Sequence, residues 1–249
     1  MSYGIQVKNS SGFTQIDGLD RNLQIIATGT TANFPQAPQF STALPPGVDN
    51  SVVVFIAPNS TSGVGQSNTI PIWGYVDLAA NEFIIGRTLG FSFYQGSFNY
   101  VVCVANQSEP TSGYGFNTYT DNGDLAFSSA YKQMKGIAHA TYNVGTVNSP
   151  GQYIVFDENN PAWAYDTSPQ DYYVMLNALG RTGVLNTGST MYYRCSFATW
   201  GWSGTQSWHY GSYDNRLVVG GSSLASGTPP TGPSTISNDT RTQIIARNI

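Results

Sequence analysis

His139 (in GIAHATY) and His209 (in SWHYGS) are the two histidines of the chain. A Ser-His-Asp relay would need one of them held against a nucleophile. The sequence has no G-x-S-x-G elbow: GWSGT (201–205) comes nearest and lacks the second glycine at the right place. Both histidines read as polar tips on strands. Glycoside hydrolysis needs two carboxylates facing each other across a cleft. Fourteen acidic residues would permit such a pair, but most sit in turn-like contexts and none is singled out. Asp121 and Asp124 in TDNGD resemble a fragment of a calcium loop without the ladder that ends in a bidentate Glu, so they read as a turn. Glycine clusters such as GVGQ lack the lysine and helix of a phosphate loop. Cys103 and Cys195 lie in apolar or aromatic runs (VVCVAN and YYRCSFATW) and read as two buried thiols rather than a bridge; two cysteines cannot make a zinc site. No catalytic residue, metal ligand or cofactor emerges, and the expectation is a protein that is not an enzyme.

The densest unusual feature is YYRCSFATWGWSGTQSWHYGSY (192–213), which holds Trp200, Trp202, Trp208, Tyr210 and Tyr213. Aromatic faces stack on sugars, and Trp and Tyr anchor protein interfaces. Three readings stay open: core packing, which alternation favours by placing Ala198, Trp200 and Trp202 on one strand face, a subunit interface, and a carbohydrate platform.

The elements that would position these residues are strands. Runs such as SVVVFIAP (51–58), EFIIGRTLGFSFY (82–94), NYVVCVAN (99–106), QYIVFDE (152–158), TMYYRCSFATW (190–200) and RLVVGG (216–221) are rich in β-branched and aromatic residues and bounded by Gly, Pro, Asn and Ser. Their spacing fits antiparallel sandwiches or barrels. Only Tyr172, Met175, Leu176 and Leu179 follow helical spacing, over a stretch short enough to be strand or helix. QAPQFSTALPPGVDN (36–50) reads as a long loop, and 222–239 as an extended excursion before a last strand, RTQIIARN (241–248).

The chain also repeats itself. Tyr3 and Gly4 match Tyr114 and Gly115 at an offset of 111 positions, Gly12 matches Gly123, and Ile16 and Leu23 match the apolar Phe127 and Met134. Each copy reads as a hairpin whose turn glycine, Gly12 or Gly123, takes positive φ. Residues 153–168 repeat the strand-turn-strand pattern more loosely. The last strand echoes NLQIIATG (22–29), which suggests edge pairing or exchange between units. The expected architecture is all-β: two related antiparallel β-sandwich-like units, 1–108 and 109–249, divided in the polar stretch 107–113 and carrying long Gly/Pro/Ser-rich loops.

Composition narrows the partners. Only 10% of the 249 residues are charged, with 10 Lys+Arg against 14 Asp+Glu, so the chain cannot neutralise a row of phosphates and nucleic acid is excluded as a partner. Hydrophobic residues at 40% exclude disorder. No window approaches the ~20 apolar residues of a membrane span, and the N-terminus lacks the charged and apolar regions of a signal peptide, so synthesis in a cytoplasm is expected.

Tyr3-Gly4-Ile5-Gln6-Val7-Lys8-Asn9, then Gly12, Ile16-Asp17 and Asn22-Leu23, resemble the opening of a family of small tailed-phage proteins encoded among tail-tip or tail-fibre genes. Gly123-Asp124-Leu125-Ala126-Phe127-Ser128-Ser129-Ala130-Tyr131-Lys132 resembles a second motif of that family. The resemblance covers about a fifth of the chain, and its positions look structural, so it transfers no functional residue. It implies a non-enzymatic structural component of a phage tail tip or baseplate, assembled as a homo-oligomer with other tail proteins in the virion and supporting host attachment. The competing readings are a receptor- or glycan-binding module built on 192–213 and a polysaccharide depolymerase.

Overall fold

The computed structural model describes residues 6–8, 14–17, 23–33, 39–59, 72–87, 97–105, 115–143, 153–156, 172–178, 180–186, 191–201, 216–226 and 240–247. The described part is nearly all β, its strands pair antiparallel, and no α-helix occurs among these residues. The strands are β1 (Gln6–Lys8), β2 (Thr14–Asp17), β3 (Gln24–Thr30), β4 (Gln39–Ala43), β5 (Val53–Pro58), β6 (Ile72–Asp77), β7 (Glu82–Arg87), β8 (Phe98–Val104) and β9 (Asn117–Tyr119). They continue with β10 (Leu125–Ser128), β11 (Lys135–Asn143), β12 (Tyr153–Phe156), β13 (Tyr172–Met175), β14 (Gly180–Asn186), β15 (Met191–Gly201), β16 (Arg216–Ser226) and β17 (Thr240–Arg247).

Two small hairpins, β1–β2 and β9–β10, accompany a six-stranded sheet ordered β11-β17-β13-β5-β8-β3 and a seven-stranded sheet ordered β12-β16-β15-β6-β7-β4, with β14 also on β15. The two orders share a symmetry. Reading inward from either edge of the six-stranded sheet gives β3-β8-β5 or β11-β17-β13; the seven-stranded sheet gives β4-β7-β6 or β12-β16-β15. Each half of the chain therefore lays down the same three-strand path twice, and among the described strands β14 has no counterpart.

Registers and irregularities repeat along with the strands. In β1–β2, Val7 pairs Ile16 and Lys8 pairs Thr14, leaving Gln15 as the extra residue of a bulge. In β9–β10, Thr118 pairs Phe127 and Tyr119 pairs Leu125, leaving Ala126. Ile26 is skipped between Ile25↔Cys103 and Ala27↔Val102, just as Ile137 is skipped between Gly136↔Ala246 and Ala138↔Ile245. Both bulges fall at the 111-residue offset. A bulge bends and twists its strand, so shared bulges give the two halves the same curvature.

The halves meet through equivalent strands. β5 pairs β13 (Phe55↔Met175, Ile56↔Val174), and β6 pairs β15 (Ile72↔Ala198). At the far edge, Gln24 bridges Gln133, Met134 N–H donates to Leu23 O (2.9 Å), and Ile25 N–H donates to Lys132 O (2.9 Å). The six-stranded sheet thus curls until its edges touch. Following the registers inward, Val53 corresponds to Tyr173, Phe55 to Met175, Val101 to Ile244, Cys103 to Ala246 and Leu23 to Met134. These ten residues, with Ile25 and Ala57, form one hydrophobic cluster. Phe55 faces Met175, and Leu23 faces Met134, so a pseudo-two-fold axis runs through the core and passes between these two pairs. That is the geometry of an isologous interface built into one chain.

The other face of the six-stranded sheet packs on the seven-stranded one. Phe83 of β7 meets Tyr100 of β8 with ring centroids 5.1 Å apart. A β-carbon built on Gly74 would lie 2.2 Å from Leu176 Cδ1, so only glycine lets the two layers approach there.

Several expectations need correction. Residues 36–50 are not all loop: β4 occupies Gln39–Ala43 and pairs with β7. Leu44 behind it is 4% exposed and exchanges hydrogen bonds with Asn81 (Leu44 N–H to Asn81 O, Asn81 Nδ2 to Leu44 O). The excursion at 222–239 begins later than expected, because β16 continues to Ser226 against β15; 227–239 lie outside the described residues. The ambiguous stretch at 172–179 is a strand ending in a 3-10 turn, Leu176–Ala178. There the Asn177 amide takes over the ladder, accepting from Val54 N–H (2.9 Å) and donating to Val52 O (3.0 Å). The last strand, β17, is neither an edge nor exchanged: it lies between β11 and β13, as the counterpart of β8 rather than of β3. The expected boundary at 107–113 falls outside the described residues, apart from the two sheets that join the halves, and so does the loose repeat beyond Phe156.

Candidate functional site

The residues that carry the resemblance fall on the β1–β2 hairpin and on the β9–β10 hairpin, and the second is described in full. Its tip is a tight turn in which Gly123 has φ +83° and its N–H donates to Thr120 O (2.9 Å). Thr120 N–H donates to Asp124 O (2.8 Å), and Asp124 N–H to Thr120 Oγ1 (3.2 Å). Positive φ at the turn glycine is as expected; Gly12 lies outside the described residues. Asp121 and Asp124 are exposed, and no group of metal-ligating side chains occurs among the described residues.

The central residues of the second motif have structural reasons. Leu125, Ala126 and Ser128 are buried. Ser128 Oγ accepts from Ala130 N–H (3.2 Å), and Ser128 O accepts from Tyr131 N–H (3.3 Å). Ser129 Oγ accepts from Phe116 N–H (2.7 Å), while Ser129 N–H donates to Phe116 O (2.9 Å). The serine pair therefore turns the chain out of β10 and ties it back to the start of β9. Gly115 lies close in the same place: a β-carbon there would sit 2.9 Å from Ser129 Oγ and push on the hydroxyl that accepts from Phe116. Hairpin β1–β2 has the same ladder, and the two hairpins approach each other through β2 and β10.

Sequence reasoning missed the surface of this hairpin. Phe116 and Tyr119 are 46% and 44% exposed, and Phe116 tilts against Phe127 at 6.4 Å. The signal was alternation in FNTY on a short strand. It also missed β6, where Trp73 and Tyr75 lie parallel at 6.3 Å and pack with Ile84. Both rings are nearly buried, and Trp73 lies against Gly86, whose β-carbon would sit 2.1 Å from the indole. The W-G-Y alternation was the available sign.

The other candidates scatter. Trp200 lies on β15 opposite Leu217, whereas Trp202, Trp208, Tyr210 and Tyr213 lie outside the described residues. His139 is on β11 opposite Ile244, and His209 is outside the described residues. Cys195 is on β15 opposite Ser222. Cys103 is a free thiol with no exposed surface, and burial pushes its pKa up to about 12, so it stays protonated and unreactive. Among the described residues no helix is long and apolar enough to cross a membrane. Comparison with protein-family models, curated protein sequences and solved structures returns no match.

Proposed function

We propose that this chain is a non-enzymatic structural component of a phage tail tip or baseplate, working as a homo-oligomer beside other tail proteins and supporting host attachment. One observation carries the reading. The two segments that resemble the tail-protein family fall on two hairpins with the same register and the same bulge, and Gly123, Leu125, Ala126, Ser128 and Ser129 of the second motif act as turn, core or tie residues. A motif whose residues serve architecture suits a scaffold. Low charge and two sheets shared by both halves suit a component packed among others, because few charges need desolvation at contacts.

The test is location in a particle. Virions purified from the encoding phage and decorated with antibody against this chain should show label at the tail end, and particles lacking the gene should have defective tails or fail to adsorb. Normal tails, normal adsorption and no label would refute the proposal. A glycan array run with a reducing-sugar release assay on host polysaccharide separates the alternatives. Binding without release points to the glycan-binding module, and release points to the depolymerase.

A further inference from the structure

The two hairpins share a backbone but differ at their tips. The first carries Ser11-Gly12 and the second carries Asn122-Gly123, the one Asn-Gly step in the sequence. We propose that Asn122 is a site of spontaneous deamidation, which alters one hairpin with age and leaves its twin intact. The Gly123 nitrogen attacks Asn122 Cγ. The new N–Cγ bond closes a succinimide as the Cγ–Nδ2 bond breaks and ammonia leaves. Water then opens the ring at either carbonyl, giving aspartate or β-linked isoaspartate. The net change is one water taken up and one ammonia released.

The glycine that follows it and its open surroundings together single out this asparagine. Asn122 is exposed at the tip, and nothing lies within 4 Å of the place a β-carbon would occupy on Gly123, so no side chain blocks the attack. Among the described asparagines, Asn59 (to Ser97), Asn81 (to Leu44), Asn99 (to Thr30) and Asn177 (to Val52 and Val54) hold their side-chain amides in hydrogen bonds. The exposed Asn33 and Asn50 are followed by phenylalanine and serine, whose side chains hinder the attack that a glycine permits. Asn122 has no such bond among the described residues. The restraint is the Gly123 N–H bond to Thr120 O, which must open before the nitrogen can attack. At an exposed turn that opening costs little, so reaction should be slower than in an unfolded peptide yet possible in the native protein. The product places a carboxylate between Asp121 and Asp124 in a chain already at formal net charge −4. In the β-linked form it also lengthens the backbone inside the turn, which separates Thr120 from Gly123 and Asp124.

The test ages the full-length protein in mildly alkaline buffer, then maps tryptic peptides by mass spectrometry and labels isoaspartate with protein isoaspartyl methyltransferase. Conversion at Asn122 should run at least about tenfold faster than at any other asparagine, because it alone precedes a glycine, whose nitrogen no side chain shields. Asn122→Ser, which copies the first hairpin's tip, should fold normally and remove the fast methyl acceptor. Conversion at Asn122 no faster than elsewhere would overturn the proposal, as would fast isoaspartate formation in the serine variant.

Discussion

The two halves of the chain are alike in backbone and unlike in side chains. Bulges at Gln15 and Ala126, and at Ile26 and Ile137, recur at one offset. The core counterparts, by contrast, are Phe55 with Met175, Val53 with Tyr173, and Cys103 with Ala246. Across the axis a large residue faces a flexible one, and a tyrosine in one half answers a valine in the other. An interior must be filled to crystal-like density, and on a two-fold axis it can be filled asymmetrically if the total volume is kept. Curvature is fixed by bulges, which admit few alternatives; volume is fixed only in sum.

The largest expected effect breaks the core at the axis. Phe55→Ala should destabilise by about 3–5 kcal/mol, as deletion of a buried aromatic does. Met175→Ala should cost less, because Met175 is only partly buried, and denaturant midpoints at unchanged slope would show the difference. Equal losses would mean that the halves share the core volume evenly.

Cys103 and Ala246 are counterparts that differ in titration. The folded thiol pKa, at about 12, lies above its ordinary 9.0, so stability is unaffected by the thiol below about pH 9 and falls as pH rises from there to about 12. Relative to Cys103→Ala, wild type should lose about 1.4 kcal/mol for each pH unit in that window. Parallel stability curves for the two proteins would refute burial of the thiol.

Gly86→Ala drives a methyl into the Trp73 ring and should cost about 1–3 kcal/mol by overpacking. Thermal melts and a change in near-ultraviolet dichroism from Trp73 would report it.

The hairpins sharpen the comparison at smaller scale. Gly123→Ala should cost about 1 kcal/mol for a side chain forced into positive φ. Gly12→Ala should cost the same if the first tip has the same turn. Thr118 is 9% exposed, and its Oγ1 has no hydrogen-bond partner among the described residues; its counterpart is Val7. Thr118→Val should therefore stabilise by about 1 kcal/mol, since an unpaired buried hydroxyl is costly. A loss of stability would mean that the hydroxyl is satisfied.

How much of this was legible in the sequence follows from where the repeat keeps its spacing. From Tyr3 to Leu23 the offset holds, so the hairpins and the positive φ at Gly123 could be read from turn chemistry. Beyond β3 the connecting segments differ in length, the offset drifts, and the equivalence of β8 with β17 or of β5 with β13 leaves no trace in residue identity. β4 was hidden because QFSTA lies between prolines and mixes polar with apolar residues, as a half-buried strand does. β6 was passed over because glycine interrupts its apolar run, although Gly74 is there to admit Leu176. The candidate site was legible as a motif but not as a surface: Phe116 and Tyr119 became conspicuous only once their exposure was known.

The central claim is that equivalent segments of the two halves meet across a pseudo-two-fold axis, and the bridge between Gln24 and Gln133 is its most exacting point. Opposed residues on antiparallel strands have Cα atoms ~4.5–5.5 Å apart, within reach of a disulfide. In a chain carrying Cys103→Ala and Cys195→Ala, the pair Gln24→Cys and Gln133→Cys should oxidise to an intrachain cross-link that runs as monomer and raises the melting temperature. Two free thiols after oxidation, or cross-links only between chains, would contradict the two-fold arrangement.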